Sequence, residues 1–87
     1  MTEDNPLVFP CSFPIKVMGH ARDDFDAIVV EIVRRHHPDI SEGAVSVRAS
    51  SNNKYLSVTV TIDAQNRAQL DAIYQDLTDC EHIIMSL

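Results

Sequence analysis

From Tyr55 to Ile62 the chain alternates without a break, Leu56, Val58, Val60 and Ile62 against Tyr55, Ser57, Thr59 and Thr61. Period two predicts a strand with one buried face and one hydroxyl-rich face. Ahead of it Val45 and Val47 alternate with Ser46 and Arg48, and the run Ser50-Ser51-Asn52-Asn53 between the two stretches is turn-forming. Strand, turn and strand make a β-hairpin. Its apolar face has to be covered by the remainder of the chain.

The remaining segments supply that cover. Phe13, Ile15 and Val17 alternate with Pro14, Lys16 and Met18 in a short strand ending at Gly19, the proline standing near a strand start, where its missing N–H matters least. Asp23, Asp24 and Asp26 precede an apolar stripe of Phe25, Ile28, Val29, Ile32, Val33 and His36 at spacings of three and four. That is a helix with acids at its N-terminus, capped by an Asp, and with Arg34 and Arg35 near its end, both arrangements favoured by the dipole. Pro38 stops it near His36 or His37. After Ile62, Asp63 and Asn66 are the two candidate caps of a second helix; Asn66 with Gln69 has capping-box spacing, and Leu70, Ile73, Tyr74 and Leu77 form the buried stripe. His82 to Leu87 reads as a last strand with Ile83, Met85 and Leu87 on one side and His82, Ile84 and Ser86 on the other. Residues 1–12, with Asn5-Pro6 and Pro10, read as a loose arm, and 13–87 as a single domain.

Strand, helix, strand, strand, helix, strand is the split βαβ order of the ferredoxin-like fold, an α+β sandwich. Right-handed crossovers give an antiparallel sheet of order 4-1-3-2 with both helices on one face. The other face stays open. The predicted register lines it with Lys16, Met18, Ser46, Arg48, Tyr55, Ser57, Thr59, Thr61, His82, Ile84 and Ser86. Antiparallel sheets commonly leave one face wet, so this surface is either simply solvated or a contact face anchored by Tyr55, Met18 and Ile84.

Composition narrows the partners. Seven Lys plus Arg against thirteen Asp plus Glu give a formal charge of -6, which disfavours phosphate backbones and anionic membranes alike. A nucleic-acid or membrane role is therefore not expected. No apolar run reaches membrane-spanning length and the first residues are acidic rather than basic, making the cytoplasm the expected compartment. Cys11 and Cys80 read as reduced thiols, since the antiparallel pairing of the first and last strands sends them to opposite ends.

Lys16-Val17-Met18-Gly19, Ser50-Ser51, Tyr55 with Ser57-Val58, Tyr74 and Leu77, and the closing Met85 to Leu87 together resemble the YbeD-like family of small bacterial proteins, over nearly the whole chain beyond its first few residues. The resemblance implies a ferredoxin-like fold similar to the ACT regulatory domains that bind amino acids on metabolic enzymes; the family's biochemical function is not assigned. It further implies a ligand or subunit contact at the first strand-to-helix turn, here Gly19, His20 and Ala21, although the Asp-x-x-Gly-type turn common in ACT domains is missing.

Catalytic and cofactor chemistry finds little to work with. His20, His82 and Cys80 are the one grouping for a metal, without CxxC or HxxxH spacing; no GxSxG elbow frames a serine, and two glycines cannot build a phosphate loop. An RNA-binding sheet would need more aromatics than Tyr55 on its open face. The expectation is a non-enzyme without cofactor or metal. It would be an interaction or regulatory module working through the open face or an edge strand, with a protein partner or a second copy, the surface comprising Lys16, Met18, Arg48, Ser50, Ser51, Tyr55, Ser57 and Thr59. The alternative is a sensor of an amino-acid-like metabolite at Gly19 to Ala21.

Overall fold

A computed structural model describes residues 8–50 and 52–87. In chain order the elements are β1 (Cys11–His20), α1 (Phe25–Arg34), a single 3-10 turn (Glu42–Ala44), β2 (Val45–Ala49), β3 (Tyr55–Ala64), α2 (Arg67–Thr78) and β4 (Ile83–Ser86). The strands lie in the order β2-β3-β1-β4, antiparallel throughout, which is the expected order read from the other edge. Among the described residues no helix is long and apolar enough to cross a membrane.

β1 is longer than its alternation predicts. It starts at Cys11 because β3 runs on to Ala64 and pairs with it, Cys11 opposite Ala64 and Ser12 opposite Asp63; two residues assigned to the arm thus belong to the sheet, while 1–7 lie outside the described residues. Pro14 sits well inside this central strand without breaking the ladder. Lys16 exchanges backbone hydrogen bonds with Leu87 on the β4 side, at 3.2 and 2.7 Å. Alternation therefore turns the Pro14 nitrogen the same way, beyond the end of β4, where among the described residues no strand is waiting for a donor.

The core lies between the sheet and the two helices. Ile15, Val17, Val58, Val60 and Ile62 from the sheet meet Phe25, Val29, Ile32 and Val33 of α1 and Leu70, Ile73 and Leu77 of α2, all at most 4% exposed, and among the described residues no polar side chain is buried with them. The periods of two and 3.6 put these residues on one side of each element. Two ties outside the core lock the helices together. His36, just past α1, meets Asp76 of α2 at 2.7 Å, and Gln69 of α2 donates to the His36 carbonyl at 3.0 Å.

Both helix starts differ in detail from the expected caps. Asp24 stands at the N-cap of α1 but its carboxylate turns to Arg22 instead of to the helix N–H groups. Asn66 does cap α2, accepting from the Gln69 N–H at 2.8 Å, whereas the Gln69 side chain accepts from the N–H of Gln65 rather than from Asn66. The box is displaced by one residue.

The largest departure is β4. Its pairing with β1 shifts register between Met18 and Gly19: Val17 faces Ser86, Met18 faces Met85, and Gly19 faces Ile83, so Ile84 is the extra residue of a β-bulge. Residues directly opposite share a face. Met85 therefore lies with Met18 on the open side and Ser86 with Val17 on the helix side, the reverse of the placement expected from unbroken alternation. Gly19 is inside the strand, not in a turn, and its φ is not positive. A Cβ there would collide with the Phe25 ring and the His82 carbonyl. Glycine is required by that packing.

Gly19→Ala is accordingly expected to destabilise the fold by about 1–3 kcal/mol, the usual range for overpacking. Urea unfolding measures it, and a midpoint equal to wild type contradicts the steric account.

Candidate interaction surface

Register defines the open face row by row. One row runs Ser46, Thr59, Lys16, Leu87 from the β2 edge to the β4 edge; the next runs Arg48, Ser57, Met18, Met85. Tyr55 and His20 form the start of a third, their rings 5.6 Å apart and tilted by 32°. The face has two unlike halves. Toward β2 it is cationic and hydroxyl-bearing, with Lys16, Ser46, Arg48, Ser57 and Thr59 around a hollow of about 220 Å³. Toward β4 it is apolar, with Met18, Met85 and Leu87 around a second hollow of about 190 Å³ that also touches Lys16 and Ser57.

The apolar side chains here are uncovered: Met18 is 39% exposed, Tyr55 36%, Met85 48% and Leu87 69%. The charges are likewise uncommitted. Arg22, Arg35 and Arg67 each pair with an acid, at Asp24, Glu31 and Asp71, whereas among the described residues Lys16 and Arg48 form no ion pair. Among the described residues no acidic side chain stands in either central row; Asp63, on this face, is out beside Ser12. In a chain of net charge -6 this is a local reversal of sign.

The other expected site residues have structural duties. Ser50 closes the hairpin: its N–H donates to the Tyr55 carbonyl at 2.9 Å, its hydroxyl accepts from the Tyr55 N–H at 3.2 Å and donates to Asn52 Oδ1 at 2.9 Å. Asn53 takes the left-handed conformation the turn needs, φ 59°. Ser51 lies outside the described residues. Around the expected ligand turn, Gly19 faces the Phe25 ring, His20 meets Tyr55, and the Ala21 N–H donates to the Lys54 carbonyl at 2.9 Å.

The histidines and thiols are dispersed. His82 lies 2.9 Å from Arg22, which also holds Asp24, so Asp24, Arg22 and His82 tie the β1–α1 loop to the approach to β4. The Arg22 guanidinium holds the Asp24 carboxyl below its usual range. Both cysteines are free, and among the described residues no three His, Cys, Asp or Glu side chains converge as metal ligands. Met85 and Leu87 are the members of the face that alternation misplaced or left out. The available signal was Gly19, since a glycine within a strand often marks a bulge.

Comparison with known proteins adds relatives and a fold. Residues 4–87 match the family described as "Protein of unknown function (DUF493)". A UPF0250 protein of Nitrosomonas europaea is 44% identical over 87 residues, covering 100% of both chains. One from Chromobacterium violaceum is 47% identical over 70 residues, 80% of this chain and 79% of its own. The solution structure of protein HP0495 from H. pylori superposes with a TM-score of 0.78 over 99% of this chain and 90% of that one, at 16% identity. That last likeness is one of fold.

The apolar half depends on how Leu87 is held. Its carbonyl accepts from the Lys16 N–H and, at 2.7 Å, from the Tyr74 hydroxyl. Burial raises the Tyr74 phenol above its ordinary 10.0, so the folded state prefers it neutral; that contribution is complete below the ordinary tyrosine range and is lost as pH climbs through the raised value. Tyr74→Phe is expected to lower stability at neutral pH by about 1 kcal/mol, to speed exchange of the Leu87 amide, and to flatten the alkaline loss of stability. Wild-type stability with an unaltered alkaline limb contradicts this.

Proposed function

The chain belongs to the DUF493 family, and from that premise we propose that it is a non-catalytic interaction module of the bacterial cytoplasm, docking a protein partner on the open face of its sheet. The observation that carries the reading is the juxtaposition of exposed Met18, Met85 and Leu87 with Lys16 and Arg48 on a face whose central rows carry no acidic side chain among the described residues. A partner matching it presents an apolar contact for the β4 half and carboxylates for the β2 half. Methionine suits such a face because its flexible thioether adapts to irregular partners, while the exposed cations Lys16 and Arg48 speed encounter with an acidic surface and reject basic ones.

The non-catalytic part of the proposal rests on how the histidines are used. Three of the four histidines, His20, His36 and His82, are each turned to a partner with a structural role, Tyr55, Asp76 and Arg22, and among the described residues no histidine is hydrogen-bonded to a serine. A general base has to lie within hydrogen-bond reach of the proton it removes.

A second reading has its own support. The polar and apolar hollows meet at Lys16 and Ser57, so a small metabolite with a carboxylate and an apolar side chain fits across them. Such a sensor would use the centre of the sheet rather than the Gly19 to Ala21 segment. A saturable rise in melting temperature with amino-acid-like carboxylates, lost in Lys16→Glu, distinguishes it from protein docking, because ligand binding to the native state raises stability.

For the leading reading, the chain retrieved from its own cells is expected to carry a stoichiometric partner. Met18→Asp and Tyr55→Asp are expected to weaken that complex by about 2 kcal/mol or more, roughly thirtyfold in Kd, with circular dichroism unchanged. Lys16→Glu should weaken it further at low salt than at high. A complex that survives all three substitutions contradicts the reading.

A further inference from the structure

The cationic half of the open face has the form of a cradle. Ser57 and Thr59, alternate residues of β3, make its half-buried floor. Thr59 stands between Ser46 on β2 and Lys16 on β1, and Ser57 stands between Arg48 and Met18. Lys16 and Arg48 therefore approach the hollow from opposite sides, and both line it.

Among the described residues nothing in the chain answers these groups. The hydroxyls of Ser46, Ser57 and Thr59 make no hydrogen bond there, whereas that of Ser50, at the end of the same hairpin, is bonded twice. Lys16 and Arg48 form no ion pair there, whereas Arg22, Arg35 and Arg67 are each matched with an acid. Two cations and three hydroxyl donors thus surround one space of about 220 Å³ that no acidic residue lines.

We propose that this cradle binds a phosphate monoester, the phosphorylated side chain of a serine or threonine on the docked partner. The inference rests on the reading of the open face as a docking surface and names the anion that its β2 half takes. Charge and donor number favour phosphate over carboxylate. A carboxylate brings one charge and two oxygens, whereas a phosphoryl ester brings three free oxygens and close to two charges at neutral pH, which matches two cations and the larger set of donors. The planar fork of Arg48 takes two of those oxygens together and Lys16 acts as a point charge; the hydroxyls of the floor donate to the remainder. Shape favours a protein over a free metabolite. Small-molecule sites enclose most of their ligand, but Lys16, Ser46 and Arg48 are exposed, so the rest of the enclosure has to come from the partner's own surface. Lys16 and Ser57 also border the apolar hollow of Met18, Met85 and Leu87, which places an apolar residue of the partner beside the phosphorylated one. A nucleic-acid diester carries a single charge on each phosphate, and this chain has a net charge of -6.

The test titrates the full chain, at fixed ionic strength, with a short peptide carrying phosphoserine between leucines, and follows backbone and arginine side-chain resonances. Saturable movement of the Lys16, Arg48, Ser57 and Thr59 signals is expected. The same peptide with glutamate or unmodified serine at that position should bind at least about tenfold more weakly. So should the phosphopeptide to Arg48→Ala and to Lys16→Ala, whose folding is checked by circular dichroism. Arg48→Lys keeps the charge and loses the fork, and should fall between wild type and Arg48→Ala. A phosphopeptide that moves none of these signals at millimolar concentration, or that the glutamate peptide equals, overturns the proposal; the docking reading is then still judged by its own substitutions at Met18 and Tyr55. Equal affinity for free O-phosphoserine would assign the cradle to a metabolite, and equal affinity for a single-stranded oligothymidylate would assign it to nucleic acid. Either result overturns the proposal.

Discussion

The Phe25 ring lies where a side chain on residue 19 would be, and the His82 carbonyl closes the same space from the other side. That contact, first residue of α1 against bare backbone of β1, fixes more than one local feature. It sets how α1 enters the core, with Val29, Ile32 and Val33 following at helical spacing. It also sits at the bulge where the β1–β4 register slips. A bulge turns every later residue of its strand to the opposite face, so the chemistry of the open face, Met85 and Leu87 out and Ser86 in, depends on it.

The two sides of the sheet are thereby given different chemistry. The helix side is a continuous hydrocarbon core in which, among the described residues, no polar residue is buried, a surface whose burial drives folding and little else. The open side carries exposed methionine, leucine and tyrosine next to two cations that form no ion pair among the described residues, in a chain of net charge -6. The β2 edge adds a third surface, since α1 leaves Val47 uncovered there. The open face lies outside the core and that edge gives it only the half-buried Val45, which leaves both largely free to be shaped by contacts outside the chain.

The strong periods were legible in sequence. Leu56 to Ile62 named the central hairpin strand, the three- and four-residue spacings named both helices, and their order named the topology, because each pattern reflects one burial choice repeated many times. What escaped was singular rather than periodic. The bulge depends on one glycine meeting one distant ring, and four residues of β4 are too few for alternation to reveal a slip. The start of β1 was hidden because Cys11 and Ser12 carry no apolar alternation and are held by pairing to Ala64 and Asp63. Asp24 looked like a cap until Arg22 competed for its carboxylate, and Gln69 chose the N–H of Gln65 over that of Asn66. Of the candidate surface, Lys16, Met18, Arg48, Tyr55, Ser57 and Thr59 were placed from pattern alone; Met85 and Leu87 required the register.

The central claim is that the bulge-determined open face is the surface a partner covers. The direct measurement labels the methionine methyl groups and follows them as a purified partner is added. The account predicts cross-relaxation between the Met18 and Met85 methyls in the free chain, and displacement of both signals on complex formation while those of core residues such as Ile73 stay in place. Met18 and Met85 signals that never communicate, or that stay fixed while resonances of α2 move, would contradict it.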